Sequence, residues 1–69
     1  MKVADLTKRM NDYGTNPHVC VLEYKIDYNL LVFEGKPDGI NEDIANLTVN
    51  SFTVLGKGFL EIYAEKKGE

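Results

Sequence analysis

An α+β fold, with one N-terminal helix packed on a four-stranded, mainly antiparallel sheet, is what this sequence predicts. Three observations carry that expectation. Apolar residues recur at helical spacing over the first thirteen positions and alternate beyond Pro17. The longest polar stretch, residues 34–43, then separates two β-rich halves, each about the length of a hairpin. Residues 1–65 are read as one domain and 66–69 as a frayed polar tail.

The helix is expected over about Val3 to Tyr13. Val3, Leu6, Met10 and Tyr13 follow one another at intervals of three, four and three, which places them on one side of a 3.6-residue spiral. Asp5 stands in the first turn with Lys8 and Arg9 further on, the order that the helix dipole favours. No Ser or Thr precedes Val3 to cap the start. Gly14 provides a left-handed stop, and Asn16-Pro17 prevents continuation.

The next segment, Val19 to Tyr24, is rich in β-branched and aromatic residues and reads as a strand. Val19, Val21 and Glu23 share one side; Cys20, Leu22 and Tyr24 share the other. Glu23 and Lys25 bring the first side out into water at that end, and Lys25 to Asn29 closes a hairpin. The return strand, Asn29 to Glu34, carries four consecutive apolar residues, Leu30-Leu31-Val32-Phe33. That run predicts burial on both faces, in an interior strand or one covered by another chain.

Pro37-Asp38-Gly39 is a turn by composition: Pro presets φ, Asp bonds locally and Gly accepts positive φ. The loop runs from Glu34 to Asp43, pinned by Ile40 and Ile44, with a short helical turn at about Glu42 to Asn46. A second hairpin follows, Leu47 to Leu55 and Phe59 to Glu65, joined by Gly56-Lys57-Gly58. In its return strand Leu60, Ile62 and Ala64 share one side and Phe59, Glu61, Tyr63 and Glu65 the other. The outgoing strand changes phase between Val49 and Phe52, so a bulge is expected near Asn50-Ser51.

Composition excludes more functions than it suggests. The chain has 69 residues, a net charge of −3 and one cysteine, Cys20, so neither an intrachain disulfide nor a multi-cysteine zinc site is available. It has no apolar run of membrane-spanning length, and its first residues turn polar too soon for a secretory signal. A cytoplasmic location is expected. The negative charge works against nucleic acid, because phosphate recognition needs concentrated Lys and Arg. So small a core also gains from doubling itself, which keeps a homodimer as an alternative.

Each candidate for chemistry has a plainer reading. His18 and Cys20, two apart on a strand, have a spacing that suits two metal ligands, but zinc takes four ligands or three plus water. No third ligand stands at a telling spacing, so a core cysteine, an edge histidine and no metal or cofactor are expected. At strand rise their side chains lie roughly 6–7 Å apart, too far for direct proton transfer. Ser51, the sole serine, carries no sign of activation, and so small a domain has little room for a pocket. No catalytic residue is assigned, and the chain is read as a non-enzyme. Glu34, Asp38, Glu42 and Asp43 lack the ligand alternation of a calcium loop and form either a solvated loop or an acidic contact for a basic partner. Asn46-Leu47-Thr48 matches a glycosylation sequon but is read as the opening of a strand.

The aromatic residues Tyr13, Tyr24, Tyr28, Phe33, Phe52, Phe59 and Tyr63 are spread along the chain. One helix covers one face of a sheet. Phe59 and Tyr63, with Phe52 or Tyr24, would then form an amphipathic patch on the uncovered face, enriched in residues that anchor protein interfaces. Aromatics on a sheet can also stack bases, yet Glu61 and Glu65 beside these would repel phosphate. The expected partner is therefore a protein, with single-stranded nucleic acid a weaker alternative.

The opening Met1-Lys2-Val3-Ala4-Asp5-Leu6, the turn ending in Pro17, Val19-Cys20-Val21 and the closing Phe59-Leu60-Glu61-Ile62-Tyr63 together make a recurring layout. It resembles small accessory proteins of bacteriophages and other mobile elements, in which a short helix precedes a compact antiparallel sheet. The resemblance is architectural and carries no functional residue over. It implies a cytoplasmic non-enzyme that works by binding, for instance by occluding a host protein.

Overall fold

Val3–Asp12 form helix α1 in the computed structural model of the protein, which describes residues 1–12, 17–56 and 58–66. The helix starts without a Ser or Thr cap. Asp5 fills part of that role, its carboxylate accepting the Lys2 backbone N–H at 3.1 Å, one half of a capping box. Val3 and Leu6 are buried and Met10 packs against the core, as the spacing predicts. Thr7 joins them on the buried side. Its hydroxyl lies 3.2 Å from the carbonyl oxygens of both Val3 and Ala4, so this buried polar group is satisfied. Tyr13 and the expected stop at Gly14 lie outside the described residues, as do Lys57 and the tail beyond Lys66.

Four strands follow: β1 (His18–Tyr24), β2 (Asn29–Gly35), β3 (Thr48–Val54) and β4 (Phe59–Glu65). They form one sheet in the order β2-β1-β4-β3. Both hairpins are antiparallel, but the central pair, β1 with β4, is parallel. The sheet is therefore mixed rather than mainly antiparallel. The α+β class stands and the strand arrangement is corrected. The physical reason lies in the two central strands, which have the cleanest apolar alternation in the chain. Pairing them sets Val19 beside Leu60 and Val21 beside Ile62, and all four are essentially inaccessible to solvent.

This order sends β2 to one edge and β3 to the other, so the segment between them must cross the sheet. It does so on the side that carries α1. Pro37–Gly39 make a 3₁₀ turn and Glu42–Ala45 a short helix, α2, while Ile40, Ile44 and Leu47 pack against the same core as α1. Asn41 caps α2, its side-chain oxygen accepting the Ile44 N–H at 2.9 Å. The expected helical turn and both isoleucine anchors are thus present.

The apolar run in β2 has a different explanation from the expected one. β2 is an edge strand, with Leu30 and Leu31 43% and 51% exposed. A bulge at Val32 shifts the register from Val21–Phe33 to Leu22–Leu31, so Val32 and Phe33 both pack on the core while Leu31 faces away. A run of four apolar residues here reflects an extra residue in the strand, not burial on both faces. In β3 the shift falls between Val49 and Ser51, where the change of phase predicts it.

Ile62→Ala should cost about 2–5 kcal/mol in urea denaturation, because it opens a cavity at the centre of the covered face. Phe52→Ala, nearly half-exposed in β3, should cost about 1 kcal/mol or less. Equal losses would contradict this placement of the core.

Candidate functional site

The sheet face away from α1 is where reactive and aromatic side chains gather. Register sets its rows. Across the sheet run Glu34, Cys20, Glu61 and Thr53 in one row, and Leu31, Leu22, Tyr63 and Ser51 in the next. His18 and Phe59 are paired at one end, their ring centroids 5.3 Å apart and tilted by 55°. Tyr24, 53% exposed, ends β1 at the other.

Of the residues expected to form the aromatic patch, Tyr24, Phe59 and Tyr63 do share this face. Tyr24 and Phe59 nevertheless stand at opposite ends of it, because β1 and β4 run in the same direction. Phe52 does not belong, since it pairs with Ile62 and so points to the helix-bearing side. The acidic set also divides. Glu34 is the last side chain of β2 and lies on the open face, next to His18. Asp38 sits in the 3₁₀ turn, and Glu42 and Asp43 in the first turn of α2, all exposed on the connector across the opposite side. Carboxylates at a helix start have a local reason to be there, since the dipole favours them.

The middle of the face holds a combination that residue spacing did not reveal. Cys20 lies on the open face, half-buried, and not in the core; His18 opens a central strand, not an edge. The pairing of β1 with β2 sets Glu34 opposite Cys20 and brings its carboxylate within 3.1 Å of His18 Nε2. Side-chain ligand atoms of His18, Cys20 and Glu34 all lie within 4.8 Å of one another. That is shorter than the roughly 6–7 Å expected for His18 and Cys20 from strand rise alone. Exposed as it is, the His18–Glu34 contact adds at most about 1 kcal/mol to stability.

Electrostatics sets what these groups can do. Burial pushes the Cys20 thiol up from its ordinary range, and the negative charges of Glu34 and Glu61 push it further. The thiolate is the nucleophilic form, so this setting works against a Cys–His nucleophile. On the neighbouring strand the Tyr63 hydroxyl donates to Glu61 Oε1 at 2.7 Å. That hydrogen bond, then burial, then the Glu61 charge hold the Tyr63 phenol above its usual range.

The chain matches no protein-family model, no curated protein and no solved structure.

A raised folded-state pKa favours the neutral phenol in the folded chain. The Tyr63 contribution to stability is therefore full below the unfolded value of about 10 and is lost as pH rises through the folded value. Glu61→Ala should lower the pH at which the Tyr63 ring titrates, followed by NMR of the ring carbons. An unchanged titration would show that Glu61 is not its acceptor in solution.

Proposed function

We propose that this chain is a non-enzymatic protein-binding module that presents the open sheet face to its partner. This is the kind of role implied by the resemblance to accessory proteins of phages and mobile elements, in which binding occludes a host protein. The observation that supports it most is the composition of that face. Tyr24, Leu31 and Phe59 are each about half-exposed, and they stand around a centre carrying Glu34 and Glu61. Aromatic and aliphatic side chains supply the desolvated anchors of an interface, while carboxylates select a partner with basic groups and speed its approach. The same carboxylates oppose a nucleic-acid backbone. Among the described residues no helix is long and apolar enough to cross a membrane.

A second reading, a homo-oligomeric component, draws on β2. This strand ends the sheet, and it exposes Leu30 on one face and Leu31 on the other, beside a hairpin tip where Ile26 is 86% and Tyr28 60% exposed. An edge of that kind is a template for pairing with a second copy.

Capture from a host lysate, followed by mass spectrometry, separates these readings when run with two variants. Tyr24→Ser/Phe59→Ser should weaken retention of the captured protein about tenfold or more. Glu42→Lys/Asp43→Lys should leave it unchanged, since those residues lie on the other side of the sheet. The reverse pattern would move the contact to the connector. Light scattering across a dilution series tests self-association. A chain that captures nothing and stays monomeric would overturn both readings.

A further inference from the structure

We propose that His18, Cys20 and Glu34 form a binding site for a single zinc ion, with water at the fourth position. The site uses one imidazole nitrogen, one thiolate and one carboxylate oxygen, a donor set of the type that zinc accepts when three protein ligands leave one position open. Such mixed N, S and O donors are too soft for magnesium or calcium, which take oxygen ligands.

Three independent features of the fold bring the ligands together. The two-residue period of β1 points His18 and Cys20 to the same face. The antiparallel register with β2 then places Glu34 directly across from Cys20. Finally, the Phe59 ring against the His18 ring limits where the imidazole can turn. All three ligands thus stand on hydrogen-bonded strands, which hold geometry better than loops do. Their ligand atoms already lie within 4.8 Å of one another, near the separations that ligands have around a tetrahedral ion.

Charge favours a cation at this point. Cys20 lies between Glu34 on β2 and Glu61 on β4, so two carboxylates flank the thiol across the sheet. On binding, the thiol gives its proton to solvent and the sulfur takes up a bond to the ion. The contact between His18 and Glu34 is replaced by a bond from each to the metal. Glu61, held by the Tyr63 hydroxyl, remains beside the site as uncoordinated negative charge. The open position faces outward, where a water or a partner's side chain completes the shell.

The 69-residue chain by itself is sufficient for the test, and the test does not depend on the protein-binding reading. Calorimetric titration with zinc chloride under reducing conditions at neutral pH should give one equivalent bound. Titration with cobalt(II) should produce the near-ultraviolet charge-transfer absorption of a thiolate–cobalt bond. His18→Ala, Cys20→Ser and Glu34→Gln should each weaken zinc binding about tenfold or more. Asp38→Asn and Asp43→Asn, away from the cluster, should not. Circular dichroism of each metal-free variant establishes that it is folded before titration. A Cys20→Ala variant replaces any that is not. The proposal is overturned if the wild-type chain takes up no zinc at millimolar concentration. It is equally overturned if any folded variant at the three positions keeps wild-type affinity, or if cobalt binds without the thiolate band.

Discussion

The parallel contact between β1 and β4 is the constraint from which the rest of the structure follows. The described residues bury one apolar cluster, and these two strands supply five of its members, Val19, Val21, Leu60, Ile62 and Ala64. Sequence-adjacent strands form hairpins easily, but a parallel pair needs a long connection. Here the two hairpins supply it, each wrapped outward from the centre, so that the first and last strands of the chain meet in the middle. Helix α1 and the connector with α2 then have only one side left to cover: the one where those five residues point.

The same constraint leaves the opposite face open. Along β1 and β4 the side chains not committed to the core are His18, Cys20, Leu22 and Tyr24, and Phe59, Glu61, Tyr63 and Glu65. Parallel pairing fixes how they meet. His18 stands next to Phe59, Cys20 next to Glu61 and Leu22 next to Tyr63. An antiparallel pairing of the same strands would have reversed that order, placing Tyr24 near Phe59 and dispersing the polar centre. The chemistry of the face is therefore a product of strand direction as much as of residue content. Cys20 has a carboxylate on each side because β2 contributes Glu34 in the same row.

Much of this was legible in the sequence. Period-two alternation identified both central strands and the sides on which Val19, Val21, Leu60 and Ile62 would lie. The change of phase between Val49 and Phe52 located the β3 bulge, and Ile40 and Ile44 marked where the connector touches the core. What remained hidden depended on relations between strands. Nothing in the order of residues says that β1 and β4 are neighbours, and the usual preference for sequential pairing points elsewhere. The bulge in β2 was masked because Leu30 to Phe33 has no polar residue to reveal a change of phase. Glu34 read both as the end of the strand and as the start of the acidic loop, and it stands at that boundary: it is the final side chain of β2, one residue before Gly35, whose φ of 149° lies outside the range ordinary residues favour. Asp5, three residues after Lys2, is the one capping signal at the helix start, and it acts through its own carboxylate where no Ser or Thr precedes Val3.

The two edges of the sheet are not equivalent, and this bears on where anything else can bind. The beginning of β3 is closed by the chain's own first residues. Val49 donates its N–H to the Met1 carbonyl at 2.8 Å, Val3 donates to Leu47 at 2.9 Å, and Lys2 bridges to Thr48. For β2 no comparable cover is seen among the described residues, and its bulge at Val32 divides the edge into two short stretches. Yet β2 also contributes Leu31 and Glu34 to the open face. A partner lying over that face and one approaching the β2 edge must therefore meet the same strand. Glu34 is turned inward, its carboxylate 3.1 Å from His18 Nε2, so it is the open face rather than the outer edge of β2 that carries its charge.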